Sequence, residues 1–493
     1  MLLIFTLFQL KQEKNIKTND DTYDRYSVVF DCGNSGTKVH VFGLYENNVK
    51  IPKEITCDKT SRSDIKLPMV FVSDKYLSKI FDTLTPYVQA LIPDQYRSKS
   101  DVFVIGTEGM RALLENEAQT VYNRTRDYLA QHQYWKQFQY HNDSFRSLIG
   151  YQEGIYAWFA ANYVDQDFSQ TYAIAEIGSG SAQVVFLNSD KANKKYIHEI
   201  TFSDKTYKVF ANSFPKLGID NALSNLSLSL AASSGKTIID LPCFPRNYET
   251  TVSDIDIKGT GSYDECVKLL KNRTLLTGDC SSDKCIFDGV PFPSEGIGKL
   301  IGISVFYYPI EFFNSHPDKI EVEWPTEQSE QTIANIEKFG QKFCSYDWET
   351  LKSKYGISTK EDEDKFRNYC LQLVYSNTFL KEGLHYSDDS QDVMRINELS
   401  GTTISWAYGV ILARASNDFV LDDNKSRNVT IAVVVGVIVG LIVIAVIVVI
   451  IIKCRKHNQE DDDFAIDNEE EPPKKDNDKE TDQIQYSQLI VSE

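Results

Sequence analysis

The sequence predicts two lobes of mixed helix and strand followed by one membrane-spanning helix, and three observations carry that prediction. The chain has 493 residues, beyond the ~100–200 that usually make one domain. An apolar run ending in a carboxylate, then a glycine-rich turn, then a second apolar run, occurs twice, with Asp31 and Glu176 in equivalent places. Finally, 24 consecutive residues, 429–452, include one polar side chain, Thr430, and no charge. Apolar residues at 42% and aromatic residues at 12% exclude a wholly disordered chain. A formal charge of −18, from 52 Lys and Arg against 70 Asp and Glu, argues against a nucleic-acid binder, which needs a basic face for phosphates.

Residues 1–20 are mostly apolar to Leu10 and then bring in Lys11 and Lys14. They are too short to span a membrane and are read as a secretory signal segment, although the basic start and a clean cleavage site are missing. The run at 429–452, as a helix rising ~1.5 Å per residue, is ~36 Å long and crosses a ~30 Å hydrocarbon layer with some tilt. Lys453, Arg455 and Lys456 follow it and place the C-terminal side in the cytoplasm. The expectation is a single-pass type I membrane protein whose residues ~20–428 lie at the cell surface or in an endomembrane lumen. Six Asn-x-Ser/Thr sequons, at Asn123, Asn142, Asn225, Asn272, Asn424 and Asn428, all fall on that side.

Eight of the nine cysteines are there too, six of them between Cys243 and Cys370, where an oxidising compartment would let them pair. Connectivity is not fixed by sequence, but proximity suggests Cys280 with Cys285, Cys344 with Cys370 and Cys243 with Cys266. Cys32, inside a glycine-rich turn, is read as a free small residue. The tail, 453–493, holds 13 acidic and 6 basic residues, a net −7 that leaves −11 on everything before it. Its stretch 460–482 has no apolar periodicity and reads as disordered. Near the end, Tyr486-Ser487-Gln488-Leu489 has the form of a sorting signal whose tyrosine and leucine dock into an adaptor.

The repeat is where the chemistry lies. Val28-Val29-Phe30-Asp31-Cys32-Gly33-Asn34-Ser35-Gly36-Thr37-Lys38-Val39-His40-Val41-Phe42 and Ala173-Ile174-Ala175-Glu176-Ile177-Gly178-Ser179-Gly180-Ser181-Ala182-Gln183-Val184-Val185-Phe186 are both strand–turn–strand patterns. Small turn residues let several backbone N–H groups aim at one point, a nest suited to phosphate, and the Ser and Thr hydroxyls add donors. A carboxylate beside such a nest repels phosphate and is suited instead to a divalent cation, held directly or through water, that bridges phosphate oxygens. Two such turns facing each other would clamp a polyphosphate. An acidic molecule repels a nucleotide at long range, so binding must come from local donors and a cation, Ca²⁺ or Mg²⁺.

The first repeat, from Asp31 to Phe42, resembles the first conserved region of the nucleoside triphosphate diphosphohydrolases, or ecto-apyrases, whose form is close to Asp-Ala-Gly-Ser-Thr-Gly-Thr-Arg-Val-His-Val-Phe. Four more segments are similar in the right order: Gly106-Thr107-Glu108-Gly109-Met110-Arg111; Gly150-Tyr151-Gln152-Glu153-Gly154-Ile155-Tyr156-Ala157-Trp158 with Asn162-Tyr163; Glu176 to Gln183; and Trp406-Ala407-Tyr408-Gly409. The resemblance runs from Asp31 to Gly409 and does not cover the tail. It implies an α/β, two-lobed fold of the actin/hexokinase type and stepwise removal of γ- and β-phosphates from nucleotides with Ca²⁺ or Mg²⁺.

Carried over by position, the resemblance makes Glu153 the general base and has Gln183 place the attacking water. Ser35, Gly36 and Thr37 would hold one phosphate, and Ser179, Gly180, Ser181 and Ala182 another. Asp31, Thr107, Glu176 and Trp406 would surround the metal's water shell. Tyr308 and Tyr386 would stack on the nucleobase, although the family pattern is broken around Tyr386. Arg111 is expected to stabilise the fold rather than touch substrate. Departures from the family pattern are Glu176 for Asp, Glu108 for a small residue, Asn34 for Ser, and Gly180 and Ala182 in the second turn; an active enzyme with an altered di-/triphosphate ratio is expected.

Lobe one is expected over 25–149 with a returning helix at 400–420, and lobe two over 150–399. Ser304 to Tyr308 and Phe366 to Val374 read as helix pieces. Two alternatives stand beside the membrane-anchored hydrolase: a catalytically altered surface glycoprotein of the same fold, and another actin-superfamily phosphotransferase. The sequence leaves open the preferred nucleotide, the compartment and the oligomeric state.

Overall fold

A computed structural model of the protein describes residues 23–422, apart from 47–49, 58–62, 72, 166, 167, 169, 170, 189, 190, 237, 277 and 295. The signal segment, the apolar run 429–452, the tail and the adaptor motif lie outside the described residues. Among the described residues no helix is long and apolar enough to cross a membrane.

Alternation every second residue builds the first sheet. Strands β1 (Arg25–Cys32) and β2 (Thr37–Leu44) form an antiparallel hairpin with Asp31 opposite Lys38. Short strands β3 (Lys53–Glu54) and β4 (Asp64–Ile65) flank β2; β5 (Asp101–Gly106) runs parallel to β1, and β6 (Phe145–Ser147) parallel to β5. Val28, Phe30, Val39, Val41, Val102 and Val104 pack in one core with the helices Asp74–Leu91 and Glu115–Gln131. Val29, Phe42, Phe103 and Ile105, of the other parity, enter a second core.

The second sheet repeats the pattern. Strands β7 (Ala173–Ile177) and β8 (Ala182–Leu187) make the second hairpin, which β9 (Ile197–Phe202) and β10 (Lys205–Phe214) extend. A small sheet of β11 (Ile238–Leu241), β12 (Glu249–Val252) and β13 (Ile255–Gly259) intervenes. The chain then returns as β14 (Leu300–Ser304), parallel to β7, and β15 (Val393–Arg395), parallel to β14. Strands β16 (Glu398–Leu399) and β17 (Thr402–Thr403) pair with each other, and β18 (Val420–Asp422) joins β9. The orders β2-β1-β5-β6 and β8-β7-β14-β15 thus share one series of antiparallel, parallel and parallel pairings.

Ala173, Ala175 and Ile177 face a core of the second half, whereas Ile174 joins the core that holds Val29. That shared core draws side chains from both sheets. Through it runs the helix Gly150–Asp165, whose residues Ile155 and Ala157 through Ala161 are all buried, as expected of a helix apolar on every side. The helix Trp406–Ser416 packs along it. At Gly409 a Cβ would lie 1.9 Å from the Tyr156 carbonyl oxygen, so only glycine admits this approach. Residues 400–420, expected beside the first lobe, touch both sheets: Tyr408 stacks on Phe42 of β2, while Val420 pairs with Thr201 of β9.

Disulfides join Cys243 to Cys266, Cys280 to Cys285 and Cys344 to Cys370, the pairs suggested by proximity, and Cys32 is free and buried. Two local expectations need correction. Ser304 to Tyr308 is not a helix piece: pairing with β7 keeps the backbone extended to Ser304, which turns with φ +61°, and a helix starts at Tyr308. The segment from Phe366 to Val374 is split, because one helix ends at Phe366 and the next begins at Tyr369.

Candidate functional site

Strand parity brings the acidic groups together. Asp31 shares the parity of Val29, and Glu176 that of Ile174, so both leave their strands on the side of the shared core. Gln183 sits opposite Glu176 across the second hairpin, with the parity of Val185 in the same core. Each hairpin closes in the same way: the Gly33 N–H donates to the Gly36 carbonyl and the Gly178 N–H to the Ser181 carbonyl, both at 2.9 Å. The strand parallel to each hairpin also adds a matching bond, from Thr107 N–H to Cys32 O at 3.1 Å and from Val305 N–H to Ile177 O at 3.3 Å.

The two turns meet. A Cβ on Gly180, in the second turn, would lie 3.1 Å from the Asn34 Cβ of the first and 2.7 Å from Glu108 Cγ. The first turn presents Ser35, which is exposed, and Gly36. Thr37 is buried, and its hydroxyl donates to the Leu67 carbonyl at 2.8 Å, so that proton is engaged within the fold. In the second turn Ser179 is half-buried, while Gly180, Ser181 and Ala182 are buried. Asn221, at the start of the helix Ile219–Ser234, donates to the Gly180 carbonyl at 2.6 Å and holds this turn against that helix.

Glu153 stands in the first turn of the Gly150–Asp165 helix and is 7% exposed. Arg111 donates from Nη1 to Glu153 Oε2 at 2.8 Å and to the Leu148 carbonyl at 3.1 Å. From Nη2 it reaches Ser181 Oγ at 3.1 Å and Glu108 Oε2 at 3.0 Å, with Nε also 3.1 Å from Glu108 Oε2. Gln183 Nε2 lies 3.5 Å from Glu153 Oε2 and donates to Ser181 Oγ at 2.8 Å and Ser213 Oγ at 3.1 Å. Glu176 Oε1 accepts from the Ser304 hydroxyl at 3.0 Å, and its other carboxylate oxygen is buried with no partner.

This crowding shapes the electrostatics. Burial pushes Glu153 up to about 7, with Arg111 pulling down and Asp31 and Glu108 pushing up. Glu176 rises to about 8, first through burial and then through Glu153, Asp31 adding to it and the Ser304 hydrogen bond opposing it. Asp31 is raised by burial, against His40 and Lys38. Three carboxylates from three elements thus feel one another. Among the described residues no three His, Cys, Asp or Glu side chains are grouped closely enough to hold an ion directly. Even so, a buried anionic cluster with an unsatisfied oxygen fits a divalent cation held through water and phosphate.

The remaining predicted residues are less concentrated. Thr107 is buried beside the first turn, and Trp406 is buried in the shared core at the start of its helix. Tyr308 is 46% exposed as a whole residue, and its hydroxyl lies beside the Ser304 side chain and feels Glu176 and Asp31. Tyr386 is partly buried against the core of the second half, which holds Ala173, Ala175 and Ile177, and donates to the Gly298 carbonyl at 2.7 Å. Sequence reasoning missed Ser213, Asn221 and Ser304, which come from separate elements with no motif around them. A cavity of about 430 Å³ at the other end of β1 is a different place; there Arg25 and His141 both engage Asp101, at 3.0 and 2.7 Å, and Arg414 engages Asp143 at 2.6 Å.

Comparison with known proteins gives this geometry a context. The GDA1/CD39 (nucleoside phosphatase) family model matches residues 17–429. The chain is 25% identical over 420 residues to probable apyrase 3 of Arabidopsis thaliana, covering 79% of this chain and 82% of that protein. It is 25% identical over 442 residues to ectonucleoside triphosphate diphosphohydrolase 1 of Bos taurus, covering 79% and 80%. A crystal structure of nucleoside triphosphate hydrolases from Neospora caninum shares the fold, with a TM-score of 0.53 at 13% identity over 84% of this chain and 97% of that one.

Proposed function

The chain belongs to the GDA1/CD39 (nucleoside phosphatase) family, and from that premise we propose that it is an apyrase that removes terminal phosphates from nucleoside tri- and diphosphates with Ca²⁺ or Mg²⁺. The observation that carries this reading is the meeting of the two turns, Asn34 against Gly180, over the carboxylates of Asp31, Glu153 and Glu176. Asp31, Thr107, Glu176 and Trp406 would surround the cation's water shell, and the unsatisfied Glu176 oxygen supports a demand for positive charge there. A cation so held supplies neutralisation of phosphate oxygens.

The residues of the chain do the rest. Ser35, Gly36 and the backbone at Thr37 hold one phosphate; Ser179, Gly180, Ser181 and Ala182 hold the next. Gln183, fixed by two serine hydroxyls, places a water beside Glu153. Glu153 takes a proton as the water oxygen bonds to phosphorus and the phosphoanhydride bond breaks, giving inorganic phosphate and a nucleotide one phosphate shorter. The exposed face of Tyr308, with Tyr386, would stack on the base without base-specific hydrogen bonds. The apolar run 429–452 supports anchoring to a membrane, with residues ~20–428 outside the cell or in a lumen.

Phosphate release from ATP and ADP with Ca²⁺ or Mg²⁺, compared between the wild type and Glu153→Gln, tests the assignment. A loss of ~10²–10⁴-fold is expected in the variant. Equal activity in both overturns Glu153 as base; no release by the wild type overturns the hydrolase.

A further inference from the structure

We propose that Glu108 is a specificity-determining residue that biases the site toward nucleoside diphosphates over triphosphates, by holding an uncompensated carboxylate where the two phosphate-gripping turns meet. The proposal rests on the functional reading above and names the substrate class of that site.

Glu108 opens the short helix Glu108–Arg111 directly after Thr107. Its neighbour Gly109 lies against the first turn, since a Cβ there would be 3.0 Å from Asn34 Cα and from the Gly33 carbonyl. Its own side chain lies against the second turn, with Cγ and Cβ 2.7 and 2.9 Å from where Gly180 would carry a Cβ. The stem of Glu108 therefore occupies the room that glycine at 180 leaves free, between the two turns.

The charge there is not cancelled. Arg111 is the cation bonded to Glu108, and the same guanidinium bonds Glu153. One positive charge facing two carboxylates leaves the trio at −1 when both are ionised. With side-chain exposures of 17% for Arg111 and Glu108 and 9% for Glu153, solvent screens the trio only partly. A triphosphate brings about one more negative charge than the matching diphosphate, with or without a bound cation. Repulsion from a fixed carboxylate grows with each added charge, so the longer chain loses more binding in both ground and transition states.

The test uses the full chain in detergent and the variants Glu108→Gln, Glu108→Ala and Glu108→Asp. The readouts are kcat/KM for ATP and ADP at fixed free cation, and the affinities of non-hydrolysable tri- and diphosphate analogues. Each ratio is internal to one preparation, so a partly folded variant does not blur it. Glu108→Gln and Glu108→Ala are expected to raise the tri-to-diphosphate ratio about tenfold, equivalent to about 1.4 kcal/mol, in kcat/KM and in analogue affinity alike. Glu108→Asp keeps the charge and keeps the wild-type ratio. A ratio within about twofold of wild type in both neutral variants overturns the proposal, while a wild type that hydrolyses neither nucleotide overturns the functional reading instead. In that second case the analogue affinities still decide the role of Glu108.

Discussion

Replacing Arg111 by Met keeps most of the aliphatic bulk and removes a guanidinium that serves Glu153, Glu108, Ser181 and the Leu148 carbonyl together. Two unit charges ~4 Å apart interact by ~4 kcal/mol at the effective dielectric of a protein surface. One pKa unit is ~1.4 kcal/mol, so the full interaction corresponds to ~3 units; because water replaces part of the lost charge, a rise of ~1–2 units in Glu153 is the reasonable magnitude. Starting from about 7, the acid limb of kcat/KM should move to roughly 8–9. Stranding two largely buried carboxylates also costs up to ~3 kcal/mol, lowering Tm by roughly 5 °C. The assay is a pH–rate profile for ADP hydrolysis alongside thermal unfolding of the same preparation. A purely structural arginine would lower Tm and leave the acid limb where it was. An unmoved limb in folded, active Arg111→Met would refute the reasoning that this cation sets the charge on Glu153.

The remaining predictions concern the same residues and the frame around them. In the wild type, kcat/KM should rise with pH through about 7, where Glu153 loses its proton. The stability consequence has the opposite sign: from about 4.5 to about 7 the folded protein keeps a proton that the unfolded chain has lost, so this group's contribution declines as pH rises across that window; unfolding followed from pH 5 to 7, with and without Glu153→Gln, checks it. Gly180→Ala should cost ~1–3 kcal/mol by overpacking, and Glu108→Ala in the same chain should recover part of that, since it removes the Glu108 Cγ at 2.7 Å while the Cβ at 2.9 Å stays; a double-mutant cycle on Tm with no coupling would contradict it. Reducing Cys243–Cys266 and Cys344–Cys370, with partners 23 and 26 residues apart, should each remove ~3 kcal/mol, seen as a fall in Tm in reductant.

The two hairpins, the carboxylate ending each first strand, and the order of the five motifs were legible because they are local: strand alternation and turn residues are written in consecutive positions. The three disulfide pairs were legible from proximity along the chain. Ser304 to Tyr308 was misread as helix because Ser304 ends a strand whose partner, β7, lies more than a hundred residues earlier, and pairing with it overrode any local preference. Arg111 was seen only as a structural residue, since no spacing indicates that Glu108, three residues before it, and Glu153, far along the chain, converge on one guanidinium.

By itself the sequence determined which residue types line the two turns, that a repeated unit carries them, and that an uncharged apolar run follows. Only the tertiary structure decided that Asn34 and Gly180 touch, that Glu108 is wedged between them, that the Thr37 hydroxyl is engaged by Leu67, and that Ser213, Asn221 and Ser304 brace the site. The physical reason is that local chemistry depends on neighbours in the chain. The placement of charge in a buried crevice depends instead on how two distant sheets and a shared helix close over one another, and on the burial that results.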